Sequence, residues 1–175
     1  MTDIRPLTAP EAEYHLPALV SLLRSTVDGG ASIGFLPPLS DGDAAAYWRE
    51  VLPDVAGGAR VLIGAVEDGR LLGCVQLALE GRPNARHRAE IQKLMVLPGA
   101  RGRGLGAALM AVADDAARAA GRTLLVLDTR TGDTAEGLYR RLGWTEAGRI
   151  PGFALNADGG ADATVLFYRE LPPAG

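Results

Sequence analysis

Ala89-Glu90-Ile91-Gln92-Lys93-Leu94-Met95-Val96-Leu97-Pro98-Gly99-Ala100-Arg101-Gly102-Arg103-Gly104-Leu105-Gly106 is the stretch on which the fold turns. Ala89 to Val96 reads as a strand, and Pro98 closes it. A loop rich in glycine and arginine follows. From Leu105 onward, Leu105, Leu109, Val112, Ala113, Ala116 and Ala120 share one helical face, and Gly121 suits the C′ position. A strand feeding a glycine loop and then a helix is a general anion site. The first N–H groups of the helix have no intrahelical acceptor, and the helix dipole adds partial positive charge there. Glycines let backbone approach a ligand closely, and Arg101 and Arg103 offer charge-assisted donors.

Upstream, Arg60 to Val66 and Leu71 to Leu79 are strand runs joined by the hairpin signal Asp68-Gly69. With Ala89 to Val96 they form an antiparallel meander. Before them, Ile4 to Leu7 reads as a short strand. Pro10 opens a helical pattern that runs to about Val27, and Asp28-Gly29-Gly30 stops it. Ser40 with Asp43 resembles a capping box for a second helix, which Pro53 ends. Downstream, Thr123 to Leu127 is wholly apolar, as a buried parallel strand is. Asp133 is placed to cap a helix over Thr134 to Leu142. Trp144 to Arg149 and Thr164 to Arg169 are the last strands, separated by the turn-rich Asn156 to Gly160. The order is β-α-α-β-β-β-α-β-α-β-β, a mixed sheet with helices in the α/β (α+β) class. No internal repeat or linker divides the 175 residues, so a single domain over 1–175 is expected.

Composition narrows the function classes. The chain is 47% hydrophobic and 22% charged with a formal net charge of −3, which gives no field drawing it to nucleic acid or membrane. Cys74 is the sole cysteine, so no intrachain disulfide exists, and its apolar neighbours make it a small core residue. His15 and His87 stand far apart, and no metal-ligand spacing occurs, so no metal is expected. No apolar stretch is long enough to span a membrane, and the N-terminus is not a signal peptide, so the expected location is cytoplasmic. Basic residues are nearly all arginine, and Lys93 is the only lysine, a bias that looks like genome composition.

Three readings of the glycine loop compete. A mononucleotide P-loop needs Lys and Ser/Thr after the last glycine, and none is there. Gly102-x-Gly104-x-x-Ala107 fits the dinucleotide fingerprint, and Asp128 lies about where its ribose-binding acid belongs. Against that, the preceding strand ends a meander, and too little chain follows Asp128 for a doubly wound sheet. A plain turn rich in glycine and arginine is the third reading.

Arg101-Gly102-Arg103-Gly104-Leu105-Gly106 resembles the cofactor motif of the GNAT superfamily of N-acetyltransferases, Arg/Gln-x-x-Gly-x-Gly/Ala. Leu138-Tyr139-Arg140-Arg141-Leu142-Gly143-Trp144 resembles its later motif, Leu-Tyr followed by Gly-Phe or Gly-Trp. The element order also matches. Within the superfamily, His87 to Pro98 and Gly34 to Leu39 resemble the tabtoxin-resistance acetyltransferase group. The resemblance implies a mostly antiparallel central sheet with helices on both faces, and acetyl-CoA as cosubstrate. It implies transfer of acetyl to a primary amine of a small molecule by direct attack in a ternary complex. A peptide or protein N-terminus is the alternative acceptor, and a non-catalytic acyl-CoA sensor is the alternative from another class. The implied partners include neither nucleic acid nor membrane, and a homodimer is left open.

The chemistry requires that the acceptor ammonium lose a proton, that the departing thiolate meet a donor, and that the oxyanion meet an aimed N–H. By the resemblance, the backbone of Leu94, Met95 and Val96 binds the acetyl carbonyl and pantetheine arm. Arg101, Gly102, Arg103, Gly104, Leu105, Gly106 and Ala107 hold the pyrophosphate. Tyr139 protonates the leaving thiolate; the other reading of Tyr139 is a core aromatic. Ala89-Glu90-Ile91 matches the position of the general base in the histone-acetylating branch, so Glu90 is the base candidate. The competing reading pairs Glu90 with Arg86 or Arg88. Asp28 and Asp128 are carboxylates that could hold the acceptor's ammonium group, and Trp48, Trp144 and Phe153 could line its pocket or fill core. One departure stands out: many relatives carry Asn seven residues before the helix tyrosine, where this chain has Gly132, with Asp133 as substitute or cap.

Overall fold

The computed structural model describes residues 1–172, so 173–175 of the expected domain lie outside it. Its elements are β1 (Asp3–Pro6), α1 (Ala9–Tyr14), α2 (Leu16–Asp28), α3 (Asp41–Ala56), β2 (Arg60–Glu67), β3 (Arg70–Leu79) and β4 (Arg88–Val96). After a 3-10 turn at Pro98–Ala100 come α4 (Leu105–Ala119), β5 (Leu124–Arg130), α5 (Thr134–Arg141), β6 (Thr145–Leu155) and β7 (Ala161–Glu170). The strands make one seven-stranded sheet in the order β1-β2-β3-β4-β5-β7-β6. Only β4 and β5 are parallel neighbours; every other pair is antiparallel. This is the mixed, mostly antiparallel sheet with helices on both faces that the sequence predicts.

Side-chain alternation along the strands builds two cores. Ile63, Val75, Leu77, Ile91, Leu125, Leu127 and Phe167 face α4 and α5. Leu62, Cys74 and Met95 face the layer made by α1, α2 and α3. Cys74 is fully buried, and that burial pushes its thiol up to about 12, so it behaves as the small hydrophobe expected. Trp48 locks α3 to α2: its ring is fully buried, and its indole N–H donates to the Leu19 carbonyl at 3.0 Å.

β4 departs from regular alternation. Cys74 pairs with Met95 but Gln76 pairs with Gln92, so β4 carries one more residue than β3 across that interval. The surplus falls at Lys93–Leu94, and Lys93 has φ 52°, a left-handed backbone rare for a side chain other than glycine. Before the bulge Ala89 and Ile91 face the α4/α5 core; after it Leu94 and Val96 do, and Met95 faces the other way. β3 passes this point so closely that a Cβ on Gly73 would lie 2.7 Å from the Met95 carbonyl oxygen.

Four expectations need correction. The first helix is two helices meeting at His15. Pro17 has no N–H to extend α1, so the chain restarts as α2 with proline in its first turn. Pro53 does not end α3, which continues to Ala56. The carbonyl whose bond Pro53 forfeits belongs to Arg49, an exposed residue, and only the last turn follows. β6 extends to Leu155 and β7 begins at Ala161, both beyond the expected bounds. Register shifts between Glu146 and Gly148 and between Ile150 and Ala154 absorb Pro151 and Gly152. β6 is an edge strand, where proline and bulges are tolerated. Ser40 caps α3 by accepting from the Asp43 N–H at 3.0 Å, but the Asp43 carboxylate accepts from the Ser40 hydroxyl at 2.6 Å rather than from its backbone N–H, so the cap is one-sided and not a full capping box.

Trp48→Ala should cost about 3–5 kcal/mol of folding stability, because it empties a fully buried site and removes the indole bond to the Leu19 carbonyl. Urea unfolding followed by circular dichroism checks this; a loss below 1 kcal/mol contradicts the packing described.

Candidate active site

The glycine loop is built as an anion cradle. Gly102 and Gly104 have φ 76° and 78°, and a Cβ added at either would meet no atom within 4 Å. α4 begins without a side-chain cap. Its first intrahelical-type bond is from the Ala108 N–H to the Gly104 carbonyl. The N–H groups of residues 102–107 therefore donate to no protein group among the described residues. Six consecutive free amides at a helix N-terminus, beside open space, suit an anionic ligand. The two arginines differ. Arg101 Nε donates to the Val96 carbonyl at 3.2 Å, which keeps its guanidinium at the loop. Arg103 turns away: it pairs with Glu67 at 2.7 Å, and that pairing holds the Glu67 carboxyl at about 2.

A gap opens beside the loop. β4 and β5 pair only through Arg88, Ala89 and Glu90 with Leu124, Leu125 and Val126. Beyond Glu90, β4 has only β3 as a strand neighbour, and β5 has only β7. Leu94, Met95 and Val96 lie on the freed length of β4, which ends at the glycine loop. Glu90 pairs with Val126 and so projects to the same face as Val126 and Asp128, away from the α4/α5 core. Arg88, a proposed partner of Glu90, is bound to Glu80 at 3.2 Å. Glu90 itself has no ion-pair partner among the described residues. Asp128 is exposed, and Thr164 Oγ1 lies 2.8 Å from its Oδ2.

Tyr139 stands on α5, the helix that follows β5. Its ring is buried against Trp144 and Phe167, with centroids 6.0 and 6.1 Å away. Its hydroxyl has no protein hydrogen-bond partner among the described residues, yet it is not sealed from solvent. Burial, reinforced by the Asp128 charge, raises its pKa well above the ordinary value, so the phenol keeps its proton. Tyr139 is thus both core aromatic and free donor. Asp133 occupies the N-cap position of α5 but makes no capping bond. Its carboxylate takes Arg130 at 2.8 Å instead, and Glu136 supplies the cap by accepting from the Gly132 N–H at 2.6 Å.

The segment between α2 and α3, with the β6–β7 turn and the end of β5, bounds a cleft of about 390 Å³ lined by Gly30, Phe35, Pro37, Arg130, Asn156 and Asp162 among others; Glu90, Lys93, Asp128 and Tyr139 are not in its lining. Asp28 is the last residue of α2, exposed, and does not line this cleft. Trp48 and Trp144 are core residues, whereas Phe153 is 51% exposed on β6. Sequence reading passed over Lys93. Its ammonium sits 5.8 Å from the Phe35 ring centroid and 5.4 Å from that of Tyr47, on the same side as the cleft. Its standing as the only lysine was the available signal. Among the described residues no group of three His, Cys, Asp or Glu side chains is placed to hold a metal ion. No described helix is long and apolar enough to cross a membrane.

Residues 33–144 match the family model described as the Acetyltransferase (GNAT) family. Similar solved structures include a GCN5-related N-acetyltransferase from Kribbella flavida, 25% identical, with TM-score 0.79 and 97% of this chain and 98% of that one covered. The yncA protein of Salmonella typhimurium, solved with its cofactor acetyl-CoA, is 18% identical with TM-score 0.80 over 100% and 96% of the two chains. The ribosomal-protein-alanine N-acetyltransferase of Brucella melitensis is 22% identical with TM-score 0.81 over 97% and 99%.

Pyrophosphate should raise the melting temperature by occupying the six free amides. In Gly104→Ala the left-handed backbone should lower stability by roughly 1–2 kcal/mol, and the added methyl should diminish the pyrophosphate effect. Equal pyrophosphate shifts in both proteins, read by differential scanning fluorimetry, contradict the cradle.

Proposed function

The chain belongs to the GNAT acetyltransferase family, and from that premise we propose that it carries acetyl from acetyl-CoA to a primary amine of a small molecule, by direct attack with both substrates bound. The observation that carries catalysis, rather than mere acyl-CoA sensing, is the free hydroxyl of Tyr139, which feels the charge of Asp128 on the length of β5 that β4 leaves unpaired. A sensor has no use for an unpaired phenol there. A cleft of about 390 Å³ suits a small acceptor, which favours that class over a peptide chain.

The cradle residues fit the cosubstrate. The amides of Gly102 to Ala107 and the Arg101 guanidinium would hold the pyrophosphate. The unpaired edge of β4 from Leu94 to Val96 would hold the pantetheine arm as an added strand does and aim an N–H at the acetyl oxygen. Acetyl-CoA supplies an activated thioester carbonyl. Two proton movements remain for the protein. Glu90 faces the acceptor side without a partner, so its carboxylate can take the ammonium proton directly or through one water. Asp128 on the same face holds the ammonium group until then. Tyr139 keeps its proton through the working pH range, so it donates a hydrogen bond as charge grows on sulfur. Its raised pKa makes complete transfer to an ordinary thiolate uphill, so its contribution is greatest as a donor in the transition state.

A thiol-release screen over amino acids, polyamines, amino-lactams, aminoglycosides and short peptides tests this reading; acetyl-CoA binding without turnover of any amine would support the sensor instead. Tyr139→Phe should lower kcat about 100-fold while leaving acetyl-CoA affinity and melting temperature near the parent's. Full kcat in that variant removes Tyr139 from the chemistry. Glu90→Gln should lower kcat about 100-fold while leaving acetyl-CoA affinity near the parent's, and full kcat in that variant places the base elsewhere.

A further inference from the structure

Lys93 is the chain's only lysine, and it stands at the bulge in β4, three residues beyond the last pair with β5. Its side chain leaves the sheet on the acceptor side, where its ammonium rests over the faces of Phe35 and Tyr47. Phe35 also lines the cleft. A Cβ on Gly34 would come within 3.5 Å of Lys93 Nζ, so the α2–α3 segment closes over it. The ammonium is half-buried, yet no carboxylate comes within ion-pair distance, and it makes no hydrogen bond among the described residues. Burial lowers its pKa, Arg60 adds to that, and Asp128 and Glu90 pull the other way from beyond contact. Aromatic faces offset part of the desolvation of a cation. They do not replace the three N–H···O bonds an ammonium can make.

Gln92, the preceding residue, supplies a second donor. Arg60 Nη1 donates to the side-chain oxygens of both Gln76 and Gln92 at 2.7 Å. Tyr47 holds Gln76 from the other side through a contact of 3.0 Å. The Gln92 side-chain oxygen is held by Arg60, and its amide nitrogen donates to no protein group among the described residues. Two unused donors, one of them cationic, thus stand at the bulge. Glu90 and Asp128, carboxylates with no ion-pair partner among the described residues, share one face of the sheet, although Asp128 accepts a hydrogen bond from Thr164. The arrangement is complementary to a molecule bearing both an ammonium and an anionic group.

We propose that Lys93, assisted by the Gln92 amide, binds a carboxylate on the acceptor, and that the acceptor is therefore an amino acid rather than a plain amine. This rests on the acetyl-transfer reading above. The ammonium end faces Glu90 and Asp128, and the carboxylate end satisfies Lys93 and Gln92. Lys93 is then a specificity-determining residue. A charge-assisted bond from a partly desolvated ammonium discriminates against a ligand lacking the acceptor oxygen, because the cation is left unpaired.

The test is a thiol-release assay on matched acceptors: α-, β- and γ-amino acids, each beside its carboxamide and its decarboxylated amine. The parent enzyme should favour the carboxylate form in at least one series. In Lys93→Met, which keeps the stem among the aromatic rings, the ratio of kcat/KM between that carboxylate and its matched amine should collapse by about 10- to 100-fold, mainly through KM. Lys93→Arg should retain part of the preference, which a purely structural role for Lys93 would not predict. An equal preference in parent and Lys93→Met overturns the proposal, as does a parent that binds acetyl-CoA but turns over only uncarboxylated amines, only peptides, or no amine. If Lys93→Met does not fold, Lys93→Gln is measured in its place, and the parent's ranking of the matched acceptors still decides. Failure to bind acetyl-CoA at all sinks the functional reading beneath it, a result distinct from the others.

Discussion

One extra residue in β4 governs the site. β3 and β4 run in register from Ala89 to Gln92, and then β4 takes three steps where β3 takes two. A bulge bends its strand and sharpens its twist, and β5, which leaves β4 after three paired residues, does not follow. The bulge also resets which side chains face which core. Ile91 and Leu94 both reach the α4/α5 side although three positions apart, while Met95 reaches the other. A left-handed residue at Lys93 is the conformational cost, of about 1–3 kcal/mol. The close passage of Gly73 and the two cores hold β4 in that shape, so the strain is imposed by the surroundings.

From the bulge at Lys93–Leu94 the ten residues 95–104 lead into α4. That passage joins two kinds of backbone donor: strand edge and helix N-terminus. β4 delivers the chain through Pro98 and the 3-10 turn to Gly102 and Gly104, and the left-handed glycines present their amides on one side of the turn. An extended ligand with a charged end and an amide-rich arm can be followed along both without a break. Neither feature depends on a side chain, which accounts for how little of the cradle is spelled out in letters beyond glycine and arginine. Arg103 illustrates the difference. It belongs to the motif by sequence, yet its guanidinium ties the loop to Glu67 and Thr2. Its backbone, not its side chain, faces the cradle.

The sequence made the meander, the glycine loop and both core-facing patterns plain, because strand alternation, turn glycines and helical periodicity are local signals. What it hid were outcomes of competition between local and tertiary terms. Pro17 splits a helix that apolar spacing presents as continuous, whereas Pro53 is absorbed near a helix end by packing around Trp48 and Val51. Pro151 and Gly152 look like a break, but an edge strand can bulge around them. Asp133 has the right letter for a cap, and Arg130 outcompetes the helix for its carboxylate. At the site, Glu90 and Tyr139 were legible through their motifs, but that both lack protein partners was not. Freedom from hydrogen bonding is a property of the whole surroundings and leaves no mark in spacing.

Lys93 sharpens that last distinction. Read as composition, one lysine among so many arginines says little. Placed in the fold, the choice of side chain has a reason. Arg60 must span two amide oxygens and an aspartate, with Asp54 3.7 Å away, and a forked planar guanidinium does this. At the bulge the space lies between two ring faces and beneath the Gly34 backbone. A compact ammonium on a thin stem fits that space and keeps donors free. The cation is thus held by shape and left unsatisfied by chemistry. Around it the protein has tied up its other nearby charges, Arg60 with glutamines and Arg130 with Asp133 and Asp162. What remains unpaired on that face is one ammonium and two carboxylates, a charge pattern that is the mirror of a zwitterion.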